Sequence, residues 1–148
     1  MKYLFLDIDG VMNSAADWFS TELISDKPFE LLKKIIDETG SKIILSSSWR
    51  TGYKRGTCDL LKQRLAEYGL SIEDVTPQSG RRGKEIQEWL MAHDYDENVD
   101  NFVILDDEDF DILAIYPEQL VKTDALIGLS GYNAWQCISK LNRKKRVV

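Results

Sequence analysis

Two pairs of aspartates stand where their spacing could do chemistry. Asp7 and Asp9 follow the apolar run Tyr3-Leu4-Phe5-Leu6, and Asp106 and Asp107 follow a second one, Phe102-Val103-Ile104-Leu105. Runs this short, rich in aromatic and branched side chains, read as strands buried on both faces of a sheet. Carboxylates at their ends lie where open α/β sheets bind ligands. Strand alternation puts Asp7 and Asp9 on one side. Like charges that close repel unless a cation sits between them or one takes a proton. A ligand set made only of oxygen selects a hard cation, Mg²⁺ before others. An aspartate is also a nucleophile for phosphoryl transfer. Serines at the end of another apolar run, Lys42 to Ser46, and the cations Arg82 and Lys84 complete a set suited to a phosphoryl group.

The elements that must position these residues alternate along the chain. After the first strand, Asn13 to Lys27 is polar and without clear period, and reads as a loop or small flap holding Trp18 and Phe19. Asp26 and Pro28 mark a helix start, Phe29, Leu32, Ile35 and Ile36 its apolar face, and Gly40 its end. Lys42 to Ser46 is the second strand. Leu60, Leu61 and Leu65 mark a helix closed by Gly69, and Ile72 to Val75 a weak strand. Ile86, Trp89 and Leu90 mark a helix starting near Gly83. Asn101 to Asp107 is a strand, Phe110 to Tyr116 a short helix stopped by Pro117, and Leu120 to Thr123 the last strand. Ala134, Trp135, Ile138 and Leu141 give the final helix. Strands alternating with helices predict an α/β, three-layer, Rossmann-like fold with a mostly parallel central sheet. The polar strand ends then converge on one edge from positions far apart in the chain.

With 148 residues the chain is read as a single domain, 1–148, with room for a real core. No apolar run approaches the roughly 18–20 residues of a membrane span, and the first residues do not form a signal peptide, so the reading is a cytoplasmic protein with no membrane partner. Cys58 and Cys137 stand alone, which argues against a disulfide framework. A net charge of −6 argues against a broadly basic nucleic-acid binder, although Lys140 to Arg146 is locally basic. That stretch reads as a solvated helix end. His93 reads as a helix-end residue, and Trp49, Trp89 and Trp135 as core or rim packing. Trp18, in the flap, is a candidate substrate contact.

Taken together, these residues resemble the haloacid-dehalogenase-like (HAD) phosphatases. Four motifs come in order: a strand with Asp7-Ile8-Asp9-Gly10, a strand ending in Ser46, a cation near a helix start in Arg82 or Lys84, and a strand ending in Asp106-Asp107 with Asp111 beyond it. LSSSWR, RRGKEIQEWL and ILDD resemble more closely the HAD domains associated with bacterial and phage RNA-repair proteins. The resemblance implies roles. Asp7 would attack phosphorus, and Asp9 would protonate the leaving oxygen and then activate water. Asp7, the Asp9 backbone carbonyl and Asp107 would hold Mg²⁺, with Asp106 directly or through water. Ser46 and Arg82 or Lys84 would bind phosphate oxygens. Family ATPases generally carry Thr at the second aspartate and the dehalogenases lack that acid, so Asp9 favours ester hydrolysis. Two positions stay open. Ser47 replaces Ser46 if the strand end shifts by one residue. Arg82 has the usual spacing to Ile86, while Lys84 is the commoner residue type.

The rival to an enzyme is a HAD-like binding or scaffold domain without turnover. Among enzymes the rivals are small-metabolite and phosphoprotein phosphatases. Relatives acting on small metabolites commonly carry a cap domain after the first motif or between the second and third. The gaps here, Val11 to Lys27 and Arg50 to Arg81, leave room for a minimal cap at most. An open site admits the end of a large ligand, which points to a phosphate on a nucleic-acid end or a nucleotide. Arg50, Lys54 and Arg55 are then candidate contacts to phosphates beyond the scissile one.

Overall fold

Alternation along the first strand decides the layering. Strand β1 (Lys2–Leu6) sends Tyr3 and Phe5 to one face and Leu4 and Leu6 to the other, and all four are buried. The computed structural model describes residues 1–15, 25–50, 52 and 59–145. The proposed flap residue Trp18, together with Lys54, Arg55 and Cys58, lies outside the described residues.

In chain order β1 is followed by α1 (Lys27–Thr39), β2 (Lys42–Leu45), α2 (Asp59–Glu67), β3 (Ile72–Val75) and α3 (Arg82–Ala92). Then come β4 (Asn101–Asp106), α4 (Ile112–Ile115), β5 (Leu120–Lys122) and α5 (Gly131–Leu141). The strands form one parallel sheet in the order β3-β2-β1-β4-β5. β1 is therefore central, as its unbroken apolar run requires. β1 and β4 pair residue for residue from Lys2↔Asn101 to Leu6↔Leu105. That register brings Asp7 beside Asp106, and the Asp7 N–H still donates to the Leu105 carbonyl at 3.0 Å.

The helices cover both faces. Leu4, Leu6, Ile43, Leu45, Val103 and Leu105 pack against Phe29, Leu32 and Ile35 of α1, Leu61 and Leu65 of α2, and Ala134, Cys137 and Leu141 of α5. On the other face Tyr3, Phe5, Ile44, Phe102 and Ile104 pack against Ile86, Trp89 and Leu90 of α3 and Ile112 of α4. Each large apolar side chain buried this way contributes about 1.5–3 kcal/mol. The strand ends that carry the aspartates are thus mounted on buried, packed strands. Among the described residues no helix is long and apolar enough to cross a membrane.

Three local expectations need correction. Asp26 precedes α1 but does not cap it. Its carboxylate accepts instead from Arg64 at 2.6 Å and Tyr68 at 3.0 Å, which ties α1 to α2. Trp135 is not packing in a core: it is 61% exposed and stacks on Tyr132. Helix α4 is shorter than Phe110 to Tyr116, because Phe110 has φ +42, outside the helical region. His93 does end α3, stacked on Trp89 with centroids 3.8 Å apart and within 3.3 Å of Asp74. Cys137 is a free, buried thiol that burial pushes up to about 12.

Candidate active site

The C-terminal ends of β1 and β4 place three carboxylates together. Asp7, Asp106 and Asp107 each offer an oxygen within 4.8 Å of the others'. Asp7 and Asp106 are buried and Asp107 is half-buried. Burial pushes the Asp7 carboxyl up, against the downward pull of the Arg82 charge and hydrogen bonds from the Ser47 hydroxyl and the Ile8 N–H. Burial also raises Asp106, the neighbouring Asp7 charge raises it further, and Arg82 opposes both. Two carboxyls raised this way in a cluster of three describe a site short of positive charge. The donor set is all oxygen, hence suited to a hard cation.

Gly10 makes the cluster possible. Its φ is +81, and a Cβ built there would stand 2.5 Å from Asp107 Oδ2 and 2.8 Å from Asp107 Cβ. The turn after β1 leaves the space that the Asp107 side chain fills, so the glycine after the second aspartate serves a carboxylate at the end of β4. Thr123, just past β5, fastens the same turn by donating to the Gly10 carbonyl at 2.7 Å.

Asp9 is held differently from the other three. It sits in the turn after β1 rather than in the strand, so it shares the pocket with Asp7 by turn geometry and not by strand alternation. Its Oδ1 accepts from Asn13 Nδ2 at 3.0 Å and its Oδ2 from Trp49 Nε1 at 3.1 Å. Asn13 Oδ1 in turn accepts from the Gly10 N–H at 2.9 Å. The Asp9 carboxylate stands apart from the trio and faces a pocket of about 320 Å³ lined by Asp7, Asp9, Ser48, Arg82, Asp107, Glu108 and Phe110.

Of the two candidate cations, the structure brings Arg82 to the carboxylates. Its Nη1 donates to Asp106 Oδ2 at 2.6 Å and to the Ser46 carbonyl at 2.8 Å, and lies 3.6 Å from Asp7 Oδ1. Lys84 is exposed on the first turn of α3, with its backbone N–H on Asp111. Asp111 accepts from Gly83 N at 2.6 Å and Lys84 N at 3.1 Å, so it fixes the helix start that carries Arg82. Of the two serines, Ser47 reaches Asp7 with its hydroxyl. Ser46 is buried with its Oγ unpartnered and contributes its carbonyl to Arg82 instead. Arg50 is not a free loop cation: it is buried and paired with Glu85 at 2.8 Å.

Against known families, residues 3–134 match the model described as the HAD domain in Swiss Army Knife RNA repair proteins. The chain belongs to this family. Comparison with curated proteins and with solved structures gave no match. The five-stranded parallel sheet with helices on both faces is the architecture of a HAD domain. Within this HAD domain, Trp49 and Asn13 are the residues that the sequence reading missed. Trp49 does pack against the core at its rim, and what that reading lacks is the bond from its Nε1 to Asp9. Its position directly after the serine run was the available signal. Asn13 carried a weaker one, an amide four residues after Asp9 in a glycine turn.

Proposed function

We propose that this HAD domain is a Mg²⁺-dependent phosphomonoester hydrolase that works through an aspartyl-phosphate on Asp7. The observation that carries the reading is the clustering of Asp7, Asp106 and Asp107, with Asp7 and Asp107 lining one pocket together with a separately held Asp9 carboxylate. Asp7, Asp106 and Asp107 would hold the cation, with the Asp9 backbone carbonyl as the further ligand the family implies. Bound there, Mg²⁺ supplies positive charge that keeps the buried carboxylates ionised and offsets charge on the phosphoryl oxygens.

The chain's own residues divide the remaining work. An ionised Asp7 oxygen attacks phosphorus and the bond from phosphorus to the ester oxygen breaks. Asp9 delivers its proton to that leaving oxygen. Asp9, now a carboxylate, takes a proton from water as the water oxygen attacks the aspartyl-phosphate. The phosphorus–Asp7 bond breaks, and inorganic phosphate leaves. Trp49 and Asn13 hold Asp9 at both oxygens, so it keeps one orientation through both halves. The guanidinium of Arg82 and the hydroxyl of Ser47 flank Asp7 where the phosphoryl oxygens would lie.

For substrate, the reading is a terminal phosphate on a nucleic-acid strand. In the second of the two gaps where a cap would be inserted, Arg50 to Arg81, the described elements α2 and β3 belong to the core layers. The family's description names RNA repair proteins. Phosphate release from a generic aryl phosphate, with Mg²⁺ and with EDTA, tests the activity. Release that requires the metal and is lost in Asp7→Asn supports it. No release under either condition returns the domain to the binding or scaffold reading.

A further inference from the structure

Beside the carboxylate pocket lies a second cavity, of about 430 Å³, lined by Arg50, Gly80, Arg81, Arg82, Glu85, Phe110 and Asp111. Arg82 and Phe110 line both and form the ridge between them. Three guanidinium groups border the second cavity against two carboxylates, and both carboxylates are already engaged. Glu85 Oε2 accepts from Arg50 Nη2 at 2.8 Å, Ser79 N at 2.9 Å and Gly80 N at 3.1 Å. Asp111 is spent on the first N–H groups of α3.

Arg50 is the telling residue. Its side chain is 7% exposed, yet Nε and Nη1 are buried and have no hydrogen-bond partner among the described residues. Buried guanidinium donors are ordinarily satisfied, and Arg50 is among the residues lining a cavity large enough for a ligand group. Arg81, exposed at the rim, adds a charge with no carboxylate partner among the described ion pairs. Phe110 supplies the other half. It is 53% exposed and held at φ +42, a conformation an aromatic residue rarely adopts. Its ring lies 5.3 Å from the Arg82 guanidinium carbon. An exposed ring backed by a cation, between two cavities, is a stacking platform of the kind single strands use, and stacking on such a ring accepts any base.

We infer that the second cavity binds the first internucleotide phosphodiester of a strand whose terminal phosphate occupies the carboxylate pocket, with the terminal base laid on Phe110. The inference rests on the phosphatase reading above for the role of the first pocket. Arg50 and Arg81 meet the phosphodiester, and Phe110 meets the base. The domain then prefers strand ends to free nucleotides through contacts that tolerate any sequence.

The test compares kcat/KM for an aryl phosphate, a mononucleotide and a dinucleotide carrying the same terminal phosphate, at fixed Mg²⁺ and low salt. The expected result is at least a tenfold preference for the dinucleotide over the mononucleotide. Arg81→Ala should shrink that ratio several-fold, and Phe110→Ala should shrink the preference for the mononucleotide over the aryl phosphate. A dinucleotide preference near one in the unaltered protein, or one that Arg81→Ala leaves unmoved, overturns the inference and leaves the phosphatase reading standing. A phosphoserine peptide preferred over the dinucleotide also overturns it. Should no compound be hydrolysed, the phosphatase reading falls. The cavity is then judged by binding of a fluorescently labelled dinucleotide and mononucleotide to the Asp7→Asn protein. Tighter binding of the dinucleotide, weakened by Arg81→Ala, supports the subsite, and equal affinities overturn it.

Discussion

Trp49→Phe removes one hydrogen bond from Asp9 and keeps an aromatic ring in the same half-buried place. The lost contact is Nε1–H to Oδ2 at 3.1 Å, while Asn13 still holds Oδ1 at 3.0 Å. A hydrogen bond to a charged group contributes about 1.5–3 kcal/mol. This one is longer than the roughly 2.7–2.9 Å of the strongest charge-assisted bonds and its ring is half-buried, so the lower end applies. If that energy is spent on orienting Asp9 in the transition state, about 1.5 kcal/mol corresponds to roughly a tenfold loss in kcat. The assay is steady-state phosphate release from two esters, one with an aryl leaving group and one with an alkyl leaving group. An alkoxide needs its proton far more than an aryl oxide does, so the alkyl ester should carry the larger loss. Thermal unfolding should be nearly unmoved. Equal losses on both esters would mean that Trp49 acts on something other than the acid. No loss on the alkyl ester would refute the positioning role altogether.

Gly10→Ala should weaken Mg²⁺ binding at least tenfold by calorimetric titration and lower the melting temperature, because the new Cβ would stand 2.5 Å from Asp107 Oδ2 at φ +81. Stability without metal should depend on pH with a definite sign. Asp7 and Asp106 are raised from 3.8 to about 6 and about 8, so the folded state holds protons that the unfolded chain releases. Their contribution is complete below about pH 4 and is lost as pH rises through those raised values. Chemical denaturation with EDTA should show that decline, and saturating Mg²⁺ should reverse it, with the larger shift at the higher pH. Asp7→Asn should melt no lower than the unaltered protein in EDTA, since the amide brings no charge into a site where burial disfavours one. Glu85→Gln should cost about 3–5 kcal/mol in denaturant titration, because it leaves Arg50 as an uncompensated buried charge.

How much of this was legible in the sequence follows from what kind of signal each feature leaves. Buried strands leave continuous apolar runs, so β1 and β4 and the aspartates at their ends could be read directly, and Gly40 marked the end of α1 through its left-handed backbone. Side-chain direction leaves no such trace. Which of Ser46 and Ser47 turns toward Asp7 depends on where β2 ends, at Leu45, and on which hydroxyl the next turn swings inward. Arg82 and Lys84 are both near the helix start, and the contacts that place Arg82 among the carboxylates, Asp111 on the Gly83 and Lys84 amides and Asp106 and the Ser46 carbonyl on the guanidinium, come from distant parts of the chain. Asp26 had the residue type of a helix cap, but its backbone is already in the helical region and its carboxylate meets Arg64 instead of the helix N–H groups. Trp49 and Arg50 became informative only once the sheet had folded, because their partners, Asp9 and Glu85, are 40 and 35 residues away.

The central claim is that Asp7 becomes phosphorylated. The most direct measurement mixes the protein with Mg²⁺ and an aryl phosphate, quenches with acid within the first turnover, reduces any acyl phosphate with borohydride and maps the modified peptide by mass spectrometry. The account predicts reduction at Asp7 alone, absent when Mg²⁺ is withheld and absent in Asp7→Asn. Turnover at full rate with Asp7 unmodified, or a label on a different carboxylate, would contradict it.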